Sequence, residues 1–232
     1  MRIFLVRHGQ SFGNVDKSEY FNKLDCDIGL TDKGFEDAEK AAVKIRTLSN
    51  KIQYAAQHYP SALVPTYFNL YNSPYKRAIE TAGRISESMG AFENMGAFKT
   101  YNIENHLETP LIREREWGDL RDIMESRLKT KDHFNFFYKP NGGESFSDTF
   151  TRAAVFHQWL LNTSKYENNI IVAHGEFNKV YLMHLLNWSV EEFTKWKNQK
   201  NGEVWMVNDG KLSSLTPLTP SPYYKKSKII KP

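Results

Sequence analysis

Ile3-Phe4-Leu5-Val6-Arg7-His8-Gly9 stands near the start of the chain, and Ile170-Ile171-Val172-Ala173-His174-Gly175 has the same pattern near the other end. Each is a continuous apolar run without alternation, which predicts a strand buried on both faces. Each run stops at a histidine and a glycine. Between them, Thr31 caps a helix whose apolar positions, Phe35, Ala38, Ala42 and Ile45, step by three and four. Leu63 to Tyr71 is rich in aromatic and β-branched residues and predicts a second strand. Ser73 as N-cap and Pro74 as first helical residue start a helix that buries Ala78, Ala82, Ile85 and Met89 and stops at Gly90. A looser stretch from Ala91 to Glu108 leads to Leu111-Ile112, read as a short third strand. Ser189 with Glu192 makes a capping box for a late helix. Glu203 to Leu212 forms a closing hairpin or edge strand around Asp209-Gly210.

Strands alternating with amphipathic helices predict an α/β fold, a three-layer sandwich with a mainly parallel central sheet flanked by helices. Ligands of such sheets sit beyond the carboxyl ends of the strands. Both histidine-glycine pairs fall at that edge.

The chain has 232 residues, of which 40% are hydrophobic and 25% charged, the composition of a water-soluble globular protein. One domain is expected over residues 1–215, followed by a flexible Pro/Lys-rich tail over 216–232. The net charge of +4 resides in Lys225, Lys226, Lys228 and Lys231, because without them 27 basic residues balance 27 acidic ones. A balanced body argues against nucleic-acid binding. Cys26 is the only cysteine, which excludes an intrachain disulfide and a thiolate metal cluster and fits a reducing compartment. The N-terminal apolar run is too short for a signal-peptide core, and no stretch approaches the ~20 apolar residues of a spanning helix. A cytoplasmic protein without a membrane partner is expected; the sequence sets no oligomeric state.

The residues that end strands or open helices carry the chemistry: Arg7, His8, Asn14, Arg77, Glu114 and His174. Arg7 and Arg77 are guanidinium forks, and two of them near one point imply a doubly charged oxyanion such as phosphate. His8 offers a neutral nitrogen nucleophile, and Gly9 removes a side chain that would block close approach. Asn14 supplies amide donors. Arg77, in the first turn of its helix, brings its own charge and the helix's positive end toward an anion. Taken singly, each has a bland reading as a surface ion pair, a packed histidine or, for Glu114 in Arg113-Glu114-Arg115-Glu116, a solvated charge run. Two buried strands both ending in His-Gly do not follow from packing needs.

Leu5-Val6-Arg7-His8-Gly9-Gln10-Ser11, with Asn14 following, resembles the signature of the histidine phosphatase superfamily, in its phosphoglycerate-mutase-like branch 1. Ser73-Pro74-Tyr75-Lys76-Arg77-Ala78-Ile79-Glu80-Thr81-Ala82 is similar to its second arginine motif. Leu111 to Gly118 resembles the segment carrying its acid, and Val172-Ala173-His174-Gly175 its second histidine. Gly142-Gly143-Glu144-Ser145 is similar to a helix-start motif of that branch. The match runs from Met1 to about Val207.

The resemblance implies a phosphoglycerate-mutase-like fold and a two-step phosphoryl transfer. His8 would become a phosphohistidine, and Glu114 would protonate the leaving oxygen and then accept a proton from water. The choice of Glu114 over Glu116 comes from the resemblance, where the acid lies four residues before the glycine, here Gly118. Glu114 should then be partly buried with a raised pKa. Arg7, Arg77, Asn14 and His174 would hold the equatorial oxygens, with His174 protonated when phosphate is bound. Neither a metal nor a cofactor is implied. Glu176, directly after His174-Gly175, departs from expectation for a phosphate pocket and is read as an acid suited to the helix dipole.

Three functions fit these residues. A phosphatase acting on a small-molecule phosphomonoester is favoured. A mutase needs a closed, strongly basic lid, whereas Trp117 to Pro140 has Arg121, Arg127, Lys129 and Lys131 without an adjacent arginine pair. Its aromatic run, Phe134, Phe136, Phe137 and Tyr138, could cover an apolar part of a substrate or pack beneath the lid. A non-catalytic phosphate-binding module is the third reading, opposed by the occupation of every catalytic position.

Overall fold

Alternate residues of Arg2–Arg7 pack on opposite sides of one sheet: Ile3 and Leu5 into one core, Phe4 and Val6 into the other. The structure, a computed structural model, describes residues 1–56, 66–90, 101–118, 135–214 and 218–221. Arg2–Arg7 is β1, and the sheet continues with β2 (Thr66–Asn72), β3 (Tyr101–Glu108), β4 (Asn168–Ala173), β5 (Val204–Asn208) and β6 (Lys211–Ser214). Their spatial order is β3-β2-β4-β1-β5-β6. The four strands β3, β2, β4 and β1 are parallel, and β5 and β6 close the edge antiparallel.

Helices cover both faces. Two short helices, α1 (Phe12–Val15) and α2 (Glu19–Asn22), occupy the connection after β1. One face carries α3 (Asp32–Ala56), with Ala38, Ala42 and Ile45 inward, and α4 (Lys76–Gly90), with Ala78, Ala82, Ile85 and Met89 inward. The other carries α5 (Phe146–Thr163), α6 (Gly175–Leu185) and the short α7 (Val190–Lys195). Phe156, Leu160, Phe177, Val180 and Phe193 fill that second core. Each such side chain contributes about 1.5–3 kcal/mol by leaving water, so both faces of β1 and β4 are anchored. That is why their runs show no alternation.

Several local expectations change. Leu111-Ile112 is not a strand: Pro110–Ile112 forms a 3-10 turn whose N-cap Thr109 accepts a hydrogen bond from the Leu111 N–H. The strand is instead Tyr101–Glu108, inside the stretch read as loose. The helix after Ser73-Pro74 begins at Lys76. Phe35 is partly exposed rather than core. The closing hairpin is present, with Asp209 and Gly210 both at positive φ as a two-residue turn requires.

The chain also does not leave the body at residue 216. Leu218 packs on the second core, Lys197 N–H donates to the Thr219 carbonyl at 2.8 Å, and Ser221 N–H donates to that of Lys195 at 2.6 Å. Residues 222–232, with all four tail lysines, lie outside the described residues. So do Arg121, Arg127, Lys129, Lys131 and Phe134. Of the aromatic run, Phe136 is buried against Phe146 and Phe193, and Phe137 is exposed. Phe136 therefore takes the packing role. Among the described residues, no helix is long and apolar enough to cross a membrane.

Candidate active site

The register of β1 on β4 sets Arg7 beside Ala173, so the residues that follow, His8 and His174, emerge together at the carboxyl edge. Their ring centroids are 5.3 Å apart. His8 Nδ1 lies 2.7 Å from its neighbour's carbonyl, that of Gly9. A carbonyl only accepts, so Nδ1 carries the proton and Nε2 keeps its lone pair. Burial, then the charges of Arg77 and Arg7, hold His8 well below its usual pKa. The ring is a neutral base with one defined nucleophilic nitrogen.

β2 lies on the other side of β4 and delivers Ser73, whose N–H bonds the Val172 carbonyl. Ser73 Oγ sits 2.8 Å from His174 Nε2 and accepts from the Tyr75 N–H at 3.3 Å. His174 Nδ1 is buried without a partner. Burial comes first, then Arg77, His8 and Arg7, in holding His174 far below its usual pKa. Burial thus biases His174, like His8, toward the neutral form.

Both arginines converge as expected. Arg77 is buried at the start of α4, where Asp25 binds its Nη1 through both the carbonyl, at 2.5 Å, and a carboxylate oxygen, at 2.8 Å. Tyr75 stacks beneath it, 4.9 Å from ring centroid to guanidinium. Arg7 Nη1 donates to the Gln199 carbonyl at 2.6 Å, and its Nε is buried without a partner. Burial lowers the Arg7 pKa, and Arg77 adds to the effect against the pull of Glu114. Asn14 sits in α1, and its Oδ1 accepts from Ser11 N–H, Ser11 Oγ and Asn201 Nδ2. That fixes its amide with Nδ2 as the outward donor.

Glu114 lies in irregular backbone after the 3-10 turn. Its Oε1 accepts from two backbone donors, Arg115 N–H at 3.0 Å and Phe177 N–H at 3.1 Å. Burial first, then the neighbouring Glu176 charge, raises its pKa to about 7, against the opposing effect of the Arg115 N–H bond and then of Arg77 and Arg7. Glu116, by contrast, is exposed, and its carboxylate accepts from the Gly118 N–H. Glu176 does stand in the first turn of α6, but it also pairs with the buried Arg115 at 2.7 Å. The dipole reading left that partner out.

The segment carrying Glu114 is held by Glu144. Its carboxylate takes Arg113 Nη2 at 2.8 Å, Arg152 Nη2 at 2.7 Å and the Glu116 N–H at 3.0 Å. Arg152 Nη1 in turn donates to the carbonyls of Leu111 and Arg113.

Several residues of the site had no signal in the sequence. The buried Gln199 donates to the Leu5 and Glu203 carbonyls and accepts from Asn178. Asn201 donates to the carbonyls of His8 and Gly9. Asp25 comes from a 3-10 turn. All three lie in irregular segments, where no periodicity marks them. Among the described residues, no group of three or more His, Cys, Asp or Glu side chains could hold a metal ion.

Comparison with known proteins agrees with this geometry. The profile of the histidine phosphatase superfamily (branch 1) matches residues 3–210. Phosphoglycerate mutase-like protein AT74 of Arabidopsis thaliana is 32% identical over 222 residues, which cover 90% of this chain and 65% of that protein. The chain thus spans somewhat less than two thirds of AT74's length. Broad-range acid phosphatase DET1 of Saccharomyces cerevisiae is 25% identical across 88% of this chain and 84% of its own. Among solved structures, a mycobacterial glucosyl-3-phosphoglycerate phosphatase superposes with a TM-score of 0.60 over 92% of this chain and 97% of that one, at 20% identity. That likeness is one of fold.

Proposed function

The chain belongs to the histidine phosphatase superfamily, branch 1, and from that premise we propose that it hydrolyses small-molecule phosphomonoesters through a phosphohistidine on His8. The observation that carries this reading is the pairing of opposite tunings in one pocket. His8 is held neutral with Nε2 free, and Glu114 is held partly protonated near neutral pH. A nucleophile and a proton donor are what the two ends of a P–O bond require.

In the first step His8 Nε2 attacks phosphorus in line. The P–O bond to the substrate breaks as Glu114 gives its proton to the departing oxygen. Oε1 is already occupied by two N–H donors, so the proton travels from Oε2. In the second step water attacks the phosphohistidine, Glu114 takes the water's proton, and the N–P bond breaks to release phosphate and neutral His8. Arg7 Nε and His174 Nδ1, both buried and without a protein partner, are the groups this reading assigns to the equatorial oxygens, together with Arg77 and Asn14 Nδ2. A bound dianion favours the charged form of His174, against the burial that lowers its proton affinity.

Transfer between two oxygens of phosphoglycerate is the second reading, favoured by relatives named as mutase-like. The absence of an adjacent arginine pair between Trp117 and Pro140 speaks for hydrolysis. Incubation with a panel of phosphorylated metabolites decides, with phosphate release and 3-to-2-phosphoglycerate conversion measured side by side. Hydrolysis of several esters with negligible interconversion is expected; interconversion outpacing phosphate release would select the mutase.

A further inference from the structure

Glu114 belongs to no regular element: past Ile112 the backbone runs irregularly to Gly118. Its carboxylate is nevertheless fixed by two backbone donors from different parts of the fold, one on its own segment and one on the first turn of α6. The side chains beside those donors are joined to each other. Arg115, whose N–H is the first donor, bonds through Nε to Oε2 of Glu176 at 2.7 Å, and Glu176 immediately precedes Phe177, the second donor. Arg115 is 1% exposed, stacked between the rings of Trp117 and Phe146 at 3.8 and 4.2 Å from their centroids, and bonded through Nη1 to the Glu144 carbonyl.

We propose that Arg115 and Glu176 are positioning residues, a clasp that keeps both N–H donors on Oε1 of Glu114 and so directs Oε2 to the leaving oxygen. This rests on Glu114 being the proton donor. A buried pair kept only for stability is often replaceable by apolar residues. This one closes a ring of contacts through the acid's own hydrogen bonds, so loosening it moves the donor and not merely the loop.

The clasp also places one negative charge beside the acid. Facing Glu114 are Arg7 from β1, Arg77 from α4, Tyr75 just before α4, Tyr20 from α2 and Glu176 from α6, with Arg152 of α5 near its backbone carbonyl. Glu176 is the carboxylate that raises the acid's proton affinity, and the Arg115 N–H bond, then Arg77 and Arg7, oppose it. Neutralising Glu176 therefore lowers that affinity, and the alkaline limb of activity moves to lower pH.

The test compares kcat/KM for glycerol 3-phosphate and 4-nitrophenyl phosphate in the wild type, Glu176→Ala, Glu176→Gln and Glu114→Gln. In Glu176→Ala the alkyl-to-aryl ratio is expected to fall at least fivefold. In Glu176→Gln the alkaline limb for the alkyl ester is expected to move down by about one pH unit. Should Glu176→Ala fail to fold, Glu176→Asp, which keeps the charge but is one methylene too short for the bond to Arg115, carries the ratio test in its place. An unchanged ratio in Glu176→Ala or Glu176→Asp, while Glu114→Gln lowers the ratio, overturns the clasp and leaves the acid in place; an unmoved limb in Glu176→Gln overturns the charge effect assigned to Glu176. An unchanged ratio in Glu114→Gln removes the acid assignment and the clasp with it.

Discussion

The imidazoles of His8 and His174 meet edge to face, centroids 5.3 Å apart and planes at 61°, because Arg7 and Ala173 are register partners on adjacent parallel strands. Two histidines 166 positions apart in sequence are thereby brought together beside two arginines, and burial first, then the arginine charges, holds both rings well below the usual imidazole pKa.

Glu114→Gln should cripple alkyl phosphate hydrolysis by ~10²–10⁴-fold and affect an activated aryl phosphate far less, since that oxygen leaves with little protonation. Glu116→Gln should affect both substrates alike and mildly, because the Glu116 side chain is exposed and its carboxylate bonds the nearby Gly118 N–H. Steady-state kinetics on both esters check this. Leaving-group dependence appearing in Glu116→Gln alone would show that the acid is the other glutamate.

The pH profile should be asymmetric. A donor with a pKa raised to about 7 is protonated below that value and lost above it, so kcat/KM for an alkyl phosphate falls as pH rises through about 7. His8, depressed well below its ordinary value, carries any acid limb of its own to lower pH than a free imidazole would. Profiles corrected for substrate ionisation should show this, and Glu114→Gln should flatten the alkaline side.

Glu144→Ala should destabilise the protein by about 3 kcal/mol, because it leaves the largely buried charge of Arg152 with backbone carbonyls but no carboxylate to balance it. For a chain of this size that lowers Tm by roughly 6–12 °C. A thermal melt within 2 °C of wild type would show that the segment bearing Glu114 is held by something else.

Exhaustive dialysis against a chelator should leave kcat/KM within about twofold, since Arg7, Arg77 and His174 supply the positive charge that metal ions supply in other phosphoryl-transfer sites. Activity abolished by chelation and restored by Mg²⁺ or Zn²⁺ would contradict this.

What the sequence revealed was whatever is local to a strand end. The apolar runs stop at His8 and His174 because the sheet stops there, so chemistry and periodicity coincide. Arg77 was legible because Ser73-Pro74 marks a helix start. Asp25, Gln199 and Asn201 were not, since each reaches the pocket from irregular backbone by contacts distant in sequence. Leu111-Ile112 looked like a strand by composition, but Pro110 and the Thr109 cap close a 3-10 turn instead. By its place after His8, Gly9 promises clearance for a ligand. Its real neighbour is the backbone of Gly34, whose carbonyl would lie 2.1 Å from an added Cβ. Glu176 illustrates the limit most clearly: its place on the helix was legible, and its partner, 61 residues away, was not.

Rapid quench with ³²P-labelled phosphomonoester tests the central claim most directly. Within the first turnover, label should appear on the protein in an acid-labile, base-stable linkage that maps to His8 and is missing from His8→Ala. Label on a serine or aspartate, or phosphate release at wild-type rate from His8→Ala, would contradict nucleophilic catalysis by His8.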